Sequence, residues 1–333
     1  MRRRIPIAAT CAALALVATA TGSMAASPKK TVTVYDDFSS GTNSKWSTPY
    51  GPGEIAIGGN DHQLTFPNGT ERVRAVPFQT GYDYSVFDHL KYAEFSNSAF
   101  PVPSKGSVEF SADMTAQTPG TRPDLIQHGT YIQSGLPYQA RVLEGQQAGV
   151  VLNMVDFCTG QLFDWFLTST TAFTLIERLP SNVTDNTAIP GCGYVGRAKM
   201  YTQIIDEVKV EAGPHNVSIR YDAKQNSVEY YLDAKMISKV QNVGIPLDKQ
   251  HEKYTGTYPS LGAGESLDGQ IHSFSIGHGL FSLIDAFPFQ HAEAPELSVS
   301  IPVGPGAPGY NRLFGQGADG TWDNFIVTTI DKS

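Results

Sequence analysis

The chain has 333 residues, with 24 Lys and Arg against 32 Asp and Glu, for a formal charge of −8. A chain this acidic is a poor partner for phosphate backbones or anionic membrane surfaces, so nucleic acid is not expected among its partners. Gly 32 and Pro 21, with 15 Tyr, 17 Phe and few charges, suit an all-β protein with many turns.

The first 26 residues read as a secretory signal. Arg2, Arg3 and Arg4 form a charged start, Ile5 to Ala20 a small apolar run, and Ser23-Met24-Ala25 the small-x-small cleavage pattern. The run is too rich in Ala and Thr for a membrane anchor. Cleavage near Ala25 or Ala26 removes three arginines and no acids, taking the charge from −8 to −8 − 3 = −11. It also removes Cys11 and leaves Cys158 and Cys192. Outside the cell these two are expected to pair, the alternative being two separately buried thiols. A secreted, soluble monomer with one domain over 27–333 is the expectation, because no Gly/Ser- or Pro-rich linker interrupts the apolar patterning.

In chain order, Lys29 to Val34 alternates as a strand, Asp36 to Gly41 is turn chemistry, and Trp46 is an apolar anchor. Glu54 to Ile57, Gln63 to Phe66, Arg72 to Val76 and Tyr92 to Phe95 are short strands, and Ser107 to Met114 is a longer one. Thr115 to Ala148 has mixed polar character and reads as a long connection. Ala148 to Pro180 then reads as three successive strands. Gly149 to Phe157 and Leu162 to Thr168 flank the turn at Cys158-Thr159-Gly160-Gln161, and Phe173 to Leu179 follows a Ser-Thr-Thr break. A second meander covers Asn216 to Val240, preceded by Thr202 to Val210. His272 to Ile284, Leu297 to Ile301 and a closing strand over Thr321 to Ile330 complete the pattern. No helix of appreciable length is predicted. Many short strands and two meanders imply two antiparallel sheets packed face to face.

His215-Asn216-Val217-Ser218-Ile219-Arg220-Tyr221-Asp222 followed by Ser227-Val228-Glu229-Tyr230-Tyr231-Leu232-Asp233 resembles the meander of concanavalin A-like lectins, glucanases and laminin-G-like domains. Tyr35-Asp36-Asp37-Phe38-Ser39 with Trp46, and Trp322-Asp323-Asn324-Phe325-Ile326-Val327, are similar to that superfamily's first and last strands. The mature chain also resembles an uncharacterised family of secreted bacterial proteins, through Phe163-Asp164-Trp165-Phe166 to Glu177-Arg178-Leu179-Pro180, Gly279-Leu280-Phe281 and Phe314-Gly315-Gln316-Gly317. The resemblance implies a jelly-roll sandwich whose concave face often holds a glycan. It implies no catalysis.

Candidate chemistry concentrates in the Ala148 to Pro180 stretch. The Glu-x-Asp-x-Glu triplet of the superfamily's retaining glucanases is missing, so Asp156, Asp164 and Glu177 are the substitute catalytic carboxylates. A three-residue hairpin loop would set Asp156 opposite Asp164, and a two-residue loop would send them to opposite faces. The competing reading is that all three are solvent-facing strand residues. Gln270-Ile271-His272 matches the Gln-Ile-His motif of alginate-lyase-like members, which implies a catalytic role for His272 and a substrate-binding one for Gln270. The partner Tyr strand and Arg-x-Glu-x-Arg of those enzymes are missing here.

Trp165 and Arg178 are further candidate ligand contacts, although Trp165 shares a strand face with Phe163 and Leu167, which favours the core. His272, His278 and His291 with Asp285 and Glu293 form a loose set of possible metal ligands that fits no zinc motif. The superfamily's use of oxygens from its first and last strands implies calcium at Asp37 and Asp323 instead. Three functions fit these residues: binding of a polysaccharide or oligosaccharide, its hydrolysis or elimination, or a structural and adhesive role without a small ligand.

Overall fold

The computed structural model describes residues 27–47, 62–79, 89–178, 201–244, 271–285, 299–300 and 313–332. Strands β1 (Lys29–Asp36), β2 (His62–Thr65), β3 (Glu71–Ala75), β4 (Leu90–Phe95), β5 (Phe100–Pro101) and β6 (Ser107–Gln117) come first. Next are β7 (Ile126–Tyr131), β8 (Pro137–Arg141), a one-turn helix α1 (Glu144–Gln147), β9 (Gly149–Val155), β10 (Gln161–Leu167) and β11 (Thr171–Arg178). The rest are β12 (Tyr201–Lys209), β13 (His215–Asp222), β14 (Ser227–Leu232), β15 (Lys235–Gln241), β16 (Ser273–Phe281), β17 (Val299–Ser300) and β18 (Ala318–Asp331). The strands expected from alternation are present wherever they fall on described residues. Glu54 to Ile57, residues 1–26, Cys192, Gln270, His291 and Glu293 lie outside those residues.

The strands form an eight-stranded sheet in the order β15-β14-β13-β6-β18-β3-β2 with β1 beside β18. A seven-stranded sheet runs β12-β11-β10-β9-β16-β4 with β5 beside β16. Every described pairing is antiparallel. This is the two-sheet jelly-roll sandwich expected of the sequence. No helix among the described residues is long and apolar enough to cross a membrane.

Period-two alternation explains the core. Phe110, Val217, Ile219 and Tyr230 of one sheet meet Leu152, Phe163, Trp165, Ile176 and Ile276 of the other, all buried. A large aromatic removes ~150–250 Å² from water, which at ~25 cal/mol per Å² contributes roughly 4–6 kcal/mol before entropy is counted. The polar tips must be satisfied in such an interior, and three of them are satisfied across the sandwich. Trp165 Nε1 donates to Ser218 O (3.0 Å), Trp322 Nε1 to Val151 O (3.1 Å) and Tyr230 Oη to Leu175 O (2.8 Å).

The long connection expected at Thr115 to Ala148 is instead structured. Strand β6 continues to Gln117, β7 and β8 form a hairpin joined by β17 in a small third sheet, and α1 follows. Strand β7 alternates between exposed and half-buried positions apart from one buried residue, Gln127. With so little of it buried, it needs none of the apolar alternation by which strands are recognised.

Candidate functional site

The outer face of the seven-stranded sheet is organised by its register into rows. One row crosses five strands: Leu175, Asp164, Asn153, Gly277 and Phe95 stand opposite one another in turn. The row on one side holds Glu177, Leu162, Val155 and Ser275. The row on the other holds Phe173, Phe166, Val151, Gly279 and Ala93. This last row is apolar and is covered by Leu143 and Leu283. The helix α1 sits close against it because Gly145 has no side chain; a Cβ there would lie 2.4 Å from the Phe173 ring. On the central strands β10, β9 and β16, the polar side chains of these three rows stand only in the first two.

Asp164 is the centre of that polar part. It is 1% exposed, and Asn153 Nδ2 donates to its Oδ1. Burial pushes the Asp164 carboxyl well above the ordinary carboxylate range. The charge of Glu177 pushes the same way, and the Asn153 hydrogen bond offsets part of the shift. Asn153 Oδ1 has no hydrogen-bond partner among the described residues. At the far end of the row, Gly277 leaves room for the Phe95 ring, since a Cβ would stand 2.6 Å from it. Phe95 meets Phe157 edge-to-face at 5.3 Å, and Phe157 is 49% exposed. The arrangement therefore offers an accessible aromatic, a half-buried carboxylate at Glu177 and a buried acid–amide pair beneath.

The turn between β9 and β10 decides which carboxylates meet. Asp156 N–H bonds Gln161 O at 2.9 Å, so the loop is Phe157 to Gly160, four residues, rather than three or two. An even loop sends Asp156 and Asp164 to opposite faces. Asp156 instead holds its own turn, accepting from Cys158 N (2.9 Å), Thr159 N (3.3 Å) and Thr159 Oγ1 (2.7 Å). His272 lies close enough for its charge to act on Asp156, and is set apart from Asp164 at the start of β16. Asp164 and Glu177 are brought together on one face; Asp156 and His272 are not part of that pair.

The ligand candidates are placed differently from a ligand surface. Trp165 is wholly buried and points between the sheets, the position its strand face favours. Arg178 is 1% exposed, and its Nε donates to Thr159 O at 3.0 Å. Cys158 is disulfide-bonded, while Cys192, its expected partner, is outside the described residues. Asp37 accepts from Ser39 Oγ at 2.7 Å, and Asp323 accepts from Asn324 N–H at 2.7 Å. Burial, and then the like charges of Asp113 and Asp37, push the Asp323 carboxyl up.

Of the loose set of histidines and acids, His291 and Glu293 lie outside the described residues, and the described members His278 and Asp285 have separate partners. Asp285 pairs with Lys91 at 2.6 Å, and His278 lies between the sheets, with Nε2 2.6 Å from Glu71 Oε2 and 3.9 Å from Glu94 Oε2. Sequence reasoning passed over Asn153, Phe95, Phe157, Glu71 and Glu94. A lone amide inside the apolar run Val150-Val151-Leu152-Asn153-Met154-Val155 was the available signal for the first.

A family model described as "Family of unknown function (DUF6081)" matches residues 35–331. The chain belongs to this family. No curated protein matches it. Solved structures with a similar chain course include a Crh5 transglycosylase in complex with NAG, at 10% identity and a TM-score of 0.40, covering 93% of this chain and 86% of that one. An endo-1,3-beta-glucanase from Streptomyces sioyaensis has 10% identity and a TM-score of 0.41, covering 91% and 97%. Alginate lyase A1-II', a member of polysaccharide lyase family-7, has 9% identity and a TM-score of 0.40, covering 86% and 96%.

Proposed function

We propose that this protein is exported and binds a polysaccharide or oligosaccharide on the outer face of the seven-stranded sheet. The observation that carries the reading is the exposed Phe157 ring, braced edge-on by Phe95 at the end of the row that contains Asn153 and Asp164. A pyranose has an apolar face that suits an aromatic ring and a rim of hydroxyls that suits carboxylate acceptors such as Glu177. The resemblance of the His215 to Asp233 meander, in the eight-stranded sheet, to concanavalin A-like domains supports a glycan as the ligand and does not bear on the choice of face.

A second reading, hydrolysis or elimination at this face, is favoured by one specific observation. Asp164 and Glu177 share the face, and burial with the Glu177 charge holds Asp164 towards its protonated form. Two carboxyl groups on one face, one of them held towards its protonated form, are the raw material of glycoside cleavage. We also keep calcium at Asp37 and Asp323 within the reading, supported by the like-charge repulsion on Asp323 that a cation would relieve. A calcium-dependent rise in the unfolding midpoint, lost in Asp323→Asn, is its test.

The test of the main reading is co-sedimentation of the full chain with a panel of plant, fungal and bacterial polysaccharides, with reducing ends and unsaturated uronates followed in parallel. Phe157→Ala is expected to weaken retention about 2- to 10-fold, the range that an aromatic contact of ~0.5–1.5 kcal/mol predicts. Unchanged retention in that variant overturns the site. Product that disappears with Asp164→Asn or Glu177→Gln selects the enzymatic reading. Neither retention nor product leaves a structural or adhesive protein.

A further inference from the structure

Glu71, Glu94 and His278 are fully buried between the two sheets, with ligand atoms all within 4.8 Å of one another. Glu71 opens β3 of the eight-stranded sheet. Glu94 of β4 and His278 of β16 stand directly opposite each other in the seven-stranded one. The three therefore converge from both layers of the sandwich. We propose that they bind a divalent transition-metal ion of the zinc class, which ties the two sheets together.

Charge is the first argument. Aromatic rings wall the cluster: the Trp46 ring centroid is 4.4 Å from that of His278, Trp322 is at 5.0 Å and Phe325 at 5.1 Å. The cluster is shielded from bulk solvent, and an isolated charge in such surroundings is costly unless it is compensated locally. Two carboxylates face a single imidazole, and among the described residues no Lys or Arg pairs with either carboxylate. As metal ligands, two carboxylates and one imidazole carry a formal charge that one divalent ion balances.

The second argument is independent of charge. Glu94 Oε2 has no hydrogen-bond partner among the described residues, although it is buried and directed at the cluster, 3.9 Å from His278 Nε2. The other oxygen of that carboxylate is held by Asn43 Nδ2 at 2.5 Å, which aims the free oxygen inward. The hydroxyl of Tyr92 lies 3.5 Å from Glu71 Oε1. Outer contacts of this kind are how metal-binding side chains are oriented. One nitrogen and two carboxylate oxygens form a donor set suited to zinc and its neighbours, and a poor one for calcium, which takes six to eight oxygens.

This inference is separate from the glycan reading and stands or falls apart from it. The full chain is purified without chelators or metal-affinity resin, dialysed, and its metal measured by plasma mass spectrometry. It is then unfolded in denaturant with a chelator and refolded with zinc, with calcium or with the chelator kept present. About one zinc per chain is expected to survive dialysis. The unfolding midpoint should be higher after refolding with zinc than with calcium or chelator. Cobalt added in place of zinc should give visible absorption bands of a bound ion, and Glu94→Gln should abolish them. Because that variant could fail to fold, the wild-type refolding series decides the matter by itself. Metal well below stoichiometry, with the same midpoint in all three refolding arms, overturns the proposal and leaves a proton-bridged structural cluster.

Discussion

Replacing Asp164 by Asn removes a carboxyl that the fold holds in an unfavourable state, and should stabilise the protein at neutral pH. Burial first, and then the charge of Glu177, raise the Asp164 carboxyl well above 3.8. The folded chain therefore keeps a proton that the unfolded chain has already released. The stability associated with that proton is fully present below the unfolded value and is lost as pH rises towards the folded one. The loss is at most about 1.4 kcal/mol per pH unit within that window. The amide introduced by Asp164→Asn has nothing to ionise, so the gap between variant and wild type should be near zero at pH 3.8 and widen as pH rises. Urea unfolding followed by tryptophan fluorescence suits the measurement, because Trp46, Trp165 and Trp322 are all buried in the folded chain. Part of the raised value comes from Glu177, so Glu177→Gln should shrink the benefit of Asp164→Asn in a double-mutant cycle. A gap that is flat with pH, or a variant less stable than wild type at pH 7, would refute the reasoning. A stabilised variant that loses binding or turnover would mark Asp164 as retained for function at a cost in stability.

Asp319 should behave in the opposite sense. Burial pushes its carboxyl up, but hydrogen bonds from Arg72 (2.8 Å to Nε) and Arg74 (2.8 Å to Nη1), with their charges, outweigh this and hold it below its usual range. That stability is present above the ordinary carboxylate value and is lost as pH falls through the lower folded one. Asp319→Asn should cost about 1–3 kcal/mol at pH 7 and little in acid, read from urea midpoints at several pH values. Gly277→Ala places a Cβ 2.6 Å from the Phe95 ring. It should cost about 1–3 kcal/mol by overpacking and weaken glycan retention by moving Phe95; normal retention would separate Phe95 from the site. Trp165→Ala should cost about 3–5 kcal/mol, with binding unchanged once the folded fraction is corrected for, because the indole lies in the core.

Much of the architecture was legible because period-two alternation is a local property. The Asn216 to Val240 meander appears as β13, β14 and β15, and the Ala148 to Pro180 stretch appears as β9, β10 and β11. Strands β7 and β8 escaped notice because so little of the hairpin is buried that it carries no apolar pattern. In the site, Asp164 and Glu177 were legible as acids on neighbouring strands. Their relation to Asp156 was not, since it hung on the number of residues in one turn.

The amino-acid sequence by itself determined a two-sheet β-sandwich, the core identity of Phe163, Trp165 and Leu167, and the turns that separate the strands. These follow from chain-local rules of side-chain direction and backbone freedom. Only the tertiary structure decided that Phe95, Asn153 and Asp164 share one row, and that Glu71, Glu94 and His278 converge from two sheets. Glu71 and His278 are separated by 207 residues along the chain. Which strands become neighbours, and in what register, is set by the packing of the whole sandwich. No window of sequence contains that information.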